Sequence, residues 1–287
     1  MEDSSAVPSI DCSMHPLNPP KVVAVAKDKY LKPRYPFPDP RHLRGAWVPK
    51  YGQDITFGYG RKAPTGHSVG KSATDLERKM RALLSVFASD DKSGKAKRLF
   101  DEFLKKQKRV KYWDDKSLDI AAGRHPNILH FCNAALSAPG SGKFRIHQAL
   151  KQANWDVTKI KVPTGLGVPA FNVGSKVLQS RDWGNGLSAM INGVQYVYVL
   201  AKDYHYDKAS QRYCITLKFV FYDVFGLDDD DVKEFGPGSH YAVARRYAPV
   251  AEAEDGIMAW WQLQHQHGYA PLITRISVQK SYEAQAT

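Results

Sequence analysis

The chain has 287 residues, of which 43% are hydrophobic, enough for a sizeable core in one large domain or two smaller ones. No run of about 18 apolar residues occurs, so the sequence predicts no membrane-spanning helix. The formal net charge is +12, and the whole excess lies in residues 1–150, which hold 27 Lys and Arg against 15 Asp and Glu. This asymmetry predicts that the first half binds something anionic: nucleic acid, a lipid surface or an acidic protein.

The start of the chain and its cysteines bear on the compartment. The first residues are polar and acidic, which does not fit a secretory signal peptide and predicts synthesis in the cytoplasm without one. Cys12, Cys132 and Cys214 are odd in number and far apart in sequence. We therefore expect three reduced thiols rather than a disulfide framework or a zinc site, with Cys214 as a small buried side chain in a strand.

Composition and residue patterns divide the chain into three parts. Residues 1–65 are rich in proline and predict an extended leader. Residues 66–160 predict a basic helical region, and residues 161–287 predict a β-rich domain. The fold class expected is therefore α+β, with a basic N-terminal helical part and a C-terminal antiparallel β-meander with flanking helices.

The helical region opens with apolar residues at helical spacing over 74–111, interrupted by the loop signal SDDKSG. Thr74 and Glu77 form a T-x-x-E capping box, so an αα-hairpin is expected here, and further helices over 127–137 and 143–154. Residues 71–111 carry 13 basic and 6 acidic side chains. A solvated helix face is the usual explanation of such a run, and an anion- or partner-binding surface is the alternative. The candidate residues of that surface are Arg78, Lys79, Lys105 and Arg109.

The β-rich part alternates apolar and polar residues over 187–226, with Asn192-Gly193 as a turn pair, which predicts an antiparallel meander. A last helix is expected from about residue 254 to Gly268. The segment PLITRISVQ then predicts one more strand.

The stretch FYDVFGLDDDDV, residues 221–232, combines a strand end with four aspartates. Asp228 is well placed as an N-cap, and the aspartates after it would lie in the first helical turn, where negative charge is favoured. Asp223 is different because it interrupts an apolar strand, where aspartate is disfavoured. A carboxylate at such a position usually has a partner, which makes Asp223 the first candidate for a functional side chain.

Several motifs then occur in order: PAFN (169–172), NGL (185–187), YDVFGLDDDDV (222–232), AWWQLQH (259–265) and GYAPLIT (268–274). Over about 110 residues the chain resembles an uncharacterised proteobacterial family with a Pro-x-Phe-Asn start, Asn-Gly-Leu, a DxFGLDxxD box, W-x-LQ and a closing PFIT. Many members carry His-Asp shortly after Asn-Gly-Leu, where this chain has Asn192-Gly193. This chain therefore lacks the His-Asp pair at that position.

The resemblance implies a toxin effector of contact-dependent antibacterial systems, notably type VI secretion. Its target would be the envelope of a neighbouring cell, in the periplasm rather than the cytosol, with peptidoglycan or its lipid-linked precursor as the substrate of a hydrolase. Asp223, Asp228 and His265 would supply acid–base or metal-binding groups, and Trp260 and Arg275 would bind substrate. The pattern allows a divalent metal but specifies no cofactor. A cognate immunity protein and a secretion-spike component bound through the N-terminal part are the implied partners.

Two other classes of function stay open at this point. The basic first half favours a nucleic-acid-directed toxin, although no nuclease motif supports it. A non-enzymatic spike-associated adaptor or structural protein is the third hypothesis, in which FGLDDDDV is only a strand end and a helix cap.

Overall fold

The computed structural model confirms the α+β fold class. The described residues are 10–28, 55–136, 146–162, 164–171, 174–191, 193–237 and 250–286. Much of the predicted leader, including residues 29–54, therefore lies outside the described residues, as do Asn192 of the predicted turn pair and part of the PAFN motif.

The described strands form one six-stranded sheet in the order β2-β6-β5-β4-β1-β3. Their bounds are β1 Pro16–Lys27, β2 Lys111–Asp114, β3 Thr164–Leu166, β4 Tyr196–Asp207, β5 Arg212–Phe225 and β6 Leu272–Gln285. Strands β4, β5 and β6 form the antiparallel meander, and β1 runs antiparallel to β4. The two edge strands are parallel to their neighbours, β2 to β6 and β3 to β1. Segments from all three predicted parts of the chain thus contribute to the same sheet.

The described helices connect and cover these strands. Their bounds are α1 Ala73–Phe87, α2 Lys95–Phe103, α3 Lys116–Gly123, α4 Pro126–Asn133, α5 Ile146–Gln152, α6 Lys176–Gly184, α7 Leu187–Met190, α8 Asp229–Phe235 and α9 Val250–Gln266. The predicted αα-hairpin is confirmed as α1 and α2, and the last predicted helix as α9. The predicted helices over 127–137 and 143–154 correspond to α4 and α5.

Two sequence predictions about element starts are wrong. Helix α1 begins at Ala73 with Ser72 as its N-cap, whose hydroxyl accepts from the Asp75 amide at 3.2 Å, so Thr74 does not cap it. The meander begins at β4 rather than at residue 187, because Leu187 and Met190 lie on one buried face of α7 at helical spacing.

The core lies between the helices and one face of the sheet. On β5 this helix-facing side carries Tyr213, Ile215, Leu217, Phe219, Phe221 and Phe225, all buried together with residues from α1, α2, α4 and α9. Helices α1 and α9 approach closely at Gly256, where a Cβ atom would lie 2.6 Å from the Leu83 side chain. The opposite face carries a smaller cluster that includes Val25, Tyr198 and Tyr222.

The prediction of three reduced thiols is wrong, whereas Cys214 is buried in a strand as expected. Cys12 and Cys214 form a disulfide with a Cα–Cα distance of 5.6 Å, although 202 residues separate them, and only the buried Cys132 is free. The pairing arises because a 3-10 turn, Cys12–Met14, lies against β4 and β5, where the amide of Tyr204 donates to the His15 carbonyl at 3.0 Å. Sequence spacing alone gave no indication of this contact.

Candidate functional site

Asp223 lies near the end of β5 on the helix-facing side of the sheet, in the alternation that includes Phe221 and Phe225. Asp223 is 8% exposed, and the residues on either side of it along this face of the strand are Phe221 and Phe225. Its cross-strand neighbour on β6 is Thr274, which is fully buried. Within the described part of the chain, the Thr274 hydroxyl has no hydrogen-bond partner. Asp223 and Thr274 are therefore two buried polar residues that face each other across β5 and β6 in an apolar layer.

Asp228 is the N-cap of α8, as the sequence predicts. Its Oδ1 accepts from the amides of Asp230 at 2.8 Å and Asp231 at 3.1 Å. The Asp231 carboxylate in turn accepts from the Asp228 amide at 2.7 Å, which completes a capping box. The carboxylate of Asp228 thus satisfies helix amides that would otherwise lack partners.

Asp229, in the first turn of α8, joins that helix to two other segments. Its Oδ1 accepts from the indole Nε1 of Trp261 on α9 at 3.1 Å. Its Oδ2 pairs with Nη2 of Arg61 at 2.5 Å. The Arg61 guanidinium also lies over the Trp261 ring, 5.7 Å from its centroid. Asp229 therefore links the DDDD segment to α9 and to the loop before α1.

His265 is 2% exposed, and both of its ring nitrogens are engaged. Nε2 lies 2.8 Å from the carbonyl oxygen of Leu227, which can only accept, so Nε2 carries the proton. Nδ1 then accepts from Arg61 Nη1 at 3.4 Å. Burial lowers the pKa of His265, and the hydrogen bond to Leu227 opposes that effect. The imidazole is accordingly a neutral connector between three segments.

The glutamines of AWWQLQHQ fasten the loop before α1 onto α9. Gln264 donates to the Thr56 carbonyl at 2.6 Å and accepts from the Leu227 amide at 3.0 Å. Gln266 donates to the Arg61 carbonyl at 2.7 Å. Gln262 accepts from the Val69 amide at 2.9 Å. The motifs FGLDDDDV and AWWQLQH thus meet in one hydrogen-bonded cluster around the ends of β5 and α9.

The two predicted substrate-binding residues lie in different environments. Trp260 is 5% exposed and packs on Phe225 with ring centroids 4.3 Å apart. Arg275 is paired in register with Tyr222, so it projects from the face opposite Asp223. There it makes two hydrogen bonds of 2.6 Å to Asp114, and this carboxylate raises the pKa of Arg275. The structure therefore does not bring Arg275 and Asp223 into one site.

Three of the four predicted anion-binding residues are engaged by carboxylates. Arg78 pairs with Asp75 at 2.7 Å, Lys79 with Asp255 at 3.1 Å, and Lys105 with Glu102 at 2.6 Å. The fourth, Arg109, is exposed, and no ion pair of its guanidinium occurs among the described residues. The basic character of the hairpin is therefore partly neutralised within its own surface.

A second cluster lies near the turn of the β4–β5 hairpin, away from Asp223, and the prediction of free thiols did not anticipate it. His205 lies opposite Cys214 in the ladder, and its ring stacks on that of His15 with centroids 4.0 Å apart. The disulfide, the stacked imidazoles and the Tyr204–His15 hydrogen bond fix the segment before β1 to the hairpin. Residues from positions so far apart in sequence carry no spacing signal.

The sequence motifs allow a divalent metal site without specifying one. In the portion of the chain with described coordinates, no group of three or more His, Cys, Asp or Glu residues is arranged to hold a metal ion. Within the same residues, no helix combines the length and apolarity needed to cross a membrane.

No family model, no curated protein and no solved structure matches the chain. The resemblance described in the sequence analysis therefore depends on the motifs alone. Two of those motifs, FGLDDDDV and AWWQLQH, form the cluster of Leu227, Asp229, Trp261, Gln264 and His265 described above.

Proposed function

We propose that the protein is an antibacterial effector delivered by contact-dependent, type VI secretion, and that it acts in the envelope of the target cell. A hydrolase acting on peptidoglycan or its lipid-linked precursor is the reaction class we favour. The proposal includes a cognate immunity protein and a spike component that contacts the N-terminal part. The motif resemblance supports the effector class, and a structural feature supports the compartment.

That feature is the disulfide between Cys12 and Cys214. Both residues are buried, at 6% and 2% exposure, and the bond joins the start of the described chain to a central strand. Disulfides persist in oxidising compartments such as the bacterial periplasm and are rare in the cytosol. A protein that gains a covalent link in the periplasm is suited to a target in that compartment.

The charge distribution gives less support to a nucleic-acid target. Non-specific nucleic-acid binding depends on free Lys and Arg side chains that replace counterions along the phosphate backbone. Arg78, Lys79 and Lys105 instead pair with carboxylates of the protein.

A non-enzymatic adaptor is the second candidate, favoured by the hydrogen bonds of Asp228 and His265. Asp228 caps a helix through Oδ1, and both ring nitrogens of His265 are engaged, by Leu227 and Arg61, so these contacts give both residues a structural role. Asp223 is the candidate for a catalytic carboxylate because it is a buried aspartate in an apolar strand, where this residue is disfavoured.

The experiment is growth of a laboratory bacterium that expresses the chain with or without a periplasmic export signal. We expect lysis only with export. Asp223→Asn is compared with Asp230→Asn, which changes an aspartate whose side chain is 85% exposed. Loss of lysis in a folded Asp223→Asn protein, with Asp230→Asn active, supports the hydrolase.

Each other outcome points elsewhere. Growth arrest only without export would overturn the envelope target and favour nucleic acid. No effect in either compartment would favour the adaptor. Lysis by the Asp223→Asn variant would support the effector proposal but exclude Asp223 from its reaction.

A further inference from the structure

A pocket of about 460 Å³ opens beside the turn of the β4–β5 hairpin. One wall is the segment after α5, with Trp155, Asp156 and Lys159. The other wall is the hairpin, with Tyr204, Tyr206 and Lys208. None of its lining residues belongs to the five motifs that carry the family resemblance. Its volume lies in the range of roughly 300–1,000 Å³ that small-molecule sites occupy.

Trp155 has an unusual backbone conformation at this wall. Asn154 and Trp155 both have positive φ angles, 51° and 61°. A positive φ is uncommon outside glycine and is an outlier for a bulky side chain. Two hydrogen bonds hold the conformation: the Trp155 amide donates to the Leu150 carbonyl at 2.8 Å, and the Tyr204 hydroxyl donates to the Trp155 carbonyl at 2.7 Å. Such outliers concentrate at binding sites, where the surrounding structure maintains them.

This backbone places the Trp155 ring in an aromatic group. The ring stacks on Tyr206 with centroids 5.7 Å apart and packs on Tyr213 at 5.3 Å. Tyr213 is fully buried, whereas Trp155, Tyr204 and Tyr206 are half-buried at the pocket. Half-buried Trp and Tyr rings offer a ligand both an apolar face and a polar edge.

The charged groups of the pocket are of both signs. Hydrogen bonds from Thr158 and Lys159 lower the pKa of Asp156 to about 2, so its carboxylate stays ionised. Burial raises the pKa of Tyr204, which keeps its hydroxyl protonated. The Lys208 ammonium is exposed, and it makes no ion pair within the described residues. The pocket thus combines hydroxyl and carboxylate groups with one unengaged cation.

We propose that this pocket binds the glycan strand of peptidoglycan, whose amino sugars carry peptide stems with free carboxylates. The apolar face of a sugar ring fits against Trp155 and Tyr206, and a carboxylate of the peptide stem pairs with Lys208. The carboxylate of Asp156, held by Thr158 and Lys159, can accept hydrogen bonds from sugar hydroxyls. This inference rests on the proposed envelope function, for which it names a recognition site.

The disulfide lies on the reverse side of the same hairpin end. Tyr206 pairs with Tyr213 across the two strands, and the next pair is His205 with Cys214, whose side chains project from the other face. The covalent link therefore fastens the Cys12 turn to β5, which pairs with the strand that carries Tyr204 and Tyr206. We expect glycan binding to be stronger in the oxidised protein than after reduction.

The test is co-sedimentation of the purified full chain with isolated peptidoglycan sacculi. Trp155→Ala removes the ring, and Lys208→Glu reverses the free charge without altering the aromatic group. Lys202→Glu is the matched control, because it makes the same charge change on β4, away from the pocket lining. We expect binding to weaken about fivefold or more for Trp155→Ala and Lys208→Glu, the effect of losing one aromatic or charged contact, and to change little for Lys202→Glu.

Equal binding by the wild type and all three variants would overturn the assignment of this pocket. Absence of binding by the wild type would overturn the proposal that the ligand is a glycan. Binding to duplex DNA that Lys208→Glu abolishes, while sacculus binding is unchanged, would also overturn it. Failure here is separable from failure of the proposed function. If the protein lyses cells after export but does not bind sacculi, only this inference is contradicted. If the protein binds sacculi through Trp155 but does not harm cells, only the proposed toxin function is contradicted.

Discussion

His265 lies 2.8 Å from the carbonyl oxygen of Leu227 and donates its Nε2 proton to it. This bond joins the C-terminal turn of α9 to the residue that follows β5 and precedes the cap of α8. The family-like motifs therefore have a definite structural role: FGLD ends the strand and begins the helix, and W-x-LQH holds that junction. A motif of this kind can be common to many sequences without a catalytic side chain in it.

Stability should fall at acidic pH, in part through His265. Its pKa is lowered in the folded state, chiefly by burial, whereas in the unfolded chain it is near the ordinary 6.5. The unfolded state then binds the proton more readily, so this contribution is complete above about pH 6.5 and decreases as the pH falls towards the folded pKa. His265→Gln keeps a donor for Leu227 but does not titrate. Urea unfolding at several pH values should therefore show a shallower acid loss in the variant, and parallel curves would contradict the assignment.

The aspartates of the DDDD segment should differ in their effect on stability. Asp228→Ala removes both capping bonds of α8 and should lower the free energy of unfolding by about 1 kcal/mol, within the roughly 0.5–2 kcal/mol range of lost N-caps. Asp230→Ala changes a side chain that is 85% exposed, so a change within about 0.5 kcal/mol is expected. Equilibrium urea unfolding of both variants measures the contrast. Equal losses would mean that the Asp228 cap contributes nothing specific.

The sequence predicted the parts of the fold that depend on local patterns. The Asp228 cap, the αα-hairpin and the strands of the meander each follow from a few neighbouring residues. What it could not give are contacts set by the whole chain. Strand β1 from the predicted leader pairs with β4, and Cys12 meets Cys214 across 202 residues. The position of Arg275 on the face opposite Asp223 follows from strand register, which the motifs alone do not specify.

The disulfide should contribute measurably to stability under oxidising conditions. Cys12→Ser is expected to lower the free energy of unfolding by about 2–5 kcal/mol, because the link closes a long loop in the unfolded chain. Reductant should reduce the stability of the wild type and leave Cys12→Ser unchanged. Cys132→Ala is the control, since burial raises the pKa of its thiol to about 12 and it forms no disulfide. A wild type that is insensitive to reductant would contradict the pairing.

Thr274→Val separates a structural from a functional role of Thr274, the β6 residue opposite Asp223. Valine is similar in shape, suits a strand and removes a hydroxyl that has no hydrogen-bond partner among the described residues. Since an unsatisfied buried hydroxyl costs free energy, the variant should be as stable as the wild type or up to about 1 kcal/mol more stable in urea unfolding. A clear loss of stability would show that the hydroxyl has a partner in the folded protein.

The same variant then bears on Asp223, which is paired with Thr274 across β5 and β6. If exported Thr274→Val remains stable but no longer lyses cells, the hydroxyl is needed for activity rather than for folding, and the Asp223–Thr274 position is where a reaction is to be sought. If the stable variant lyses cells like the wild type, the hydroxyl is dispensable. Asp223 then has to act without it, and the apolar layer around both residues serves the fold alone.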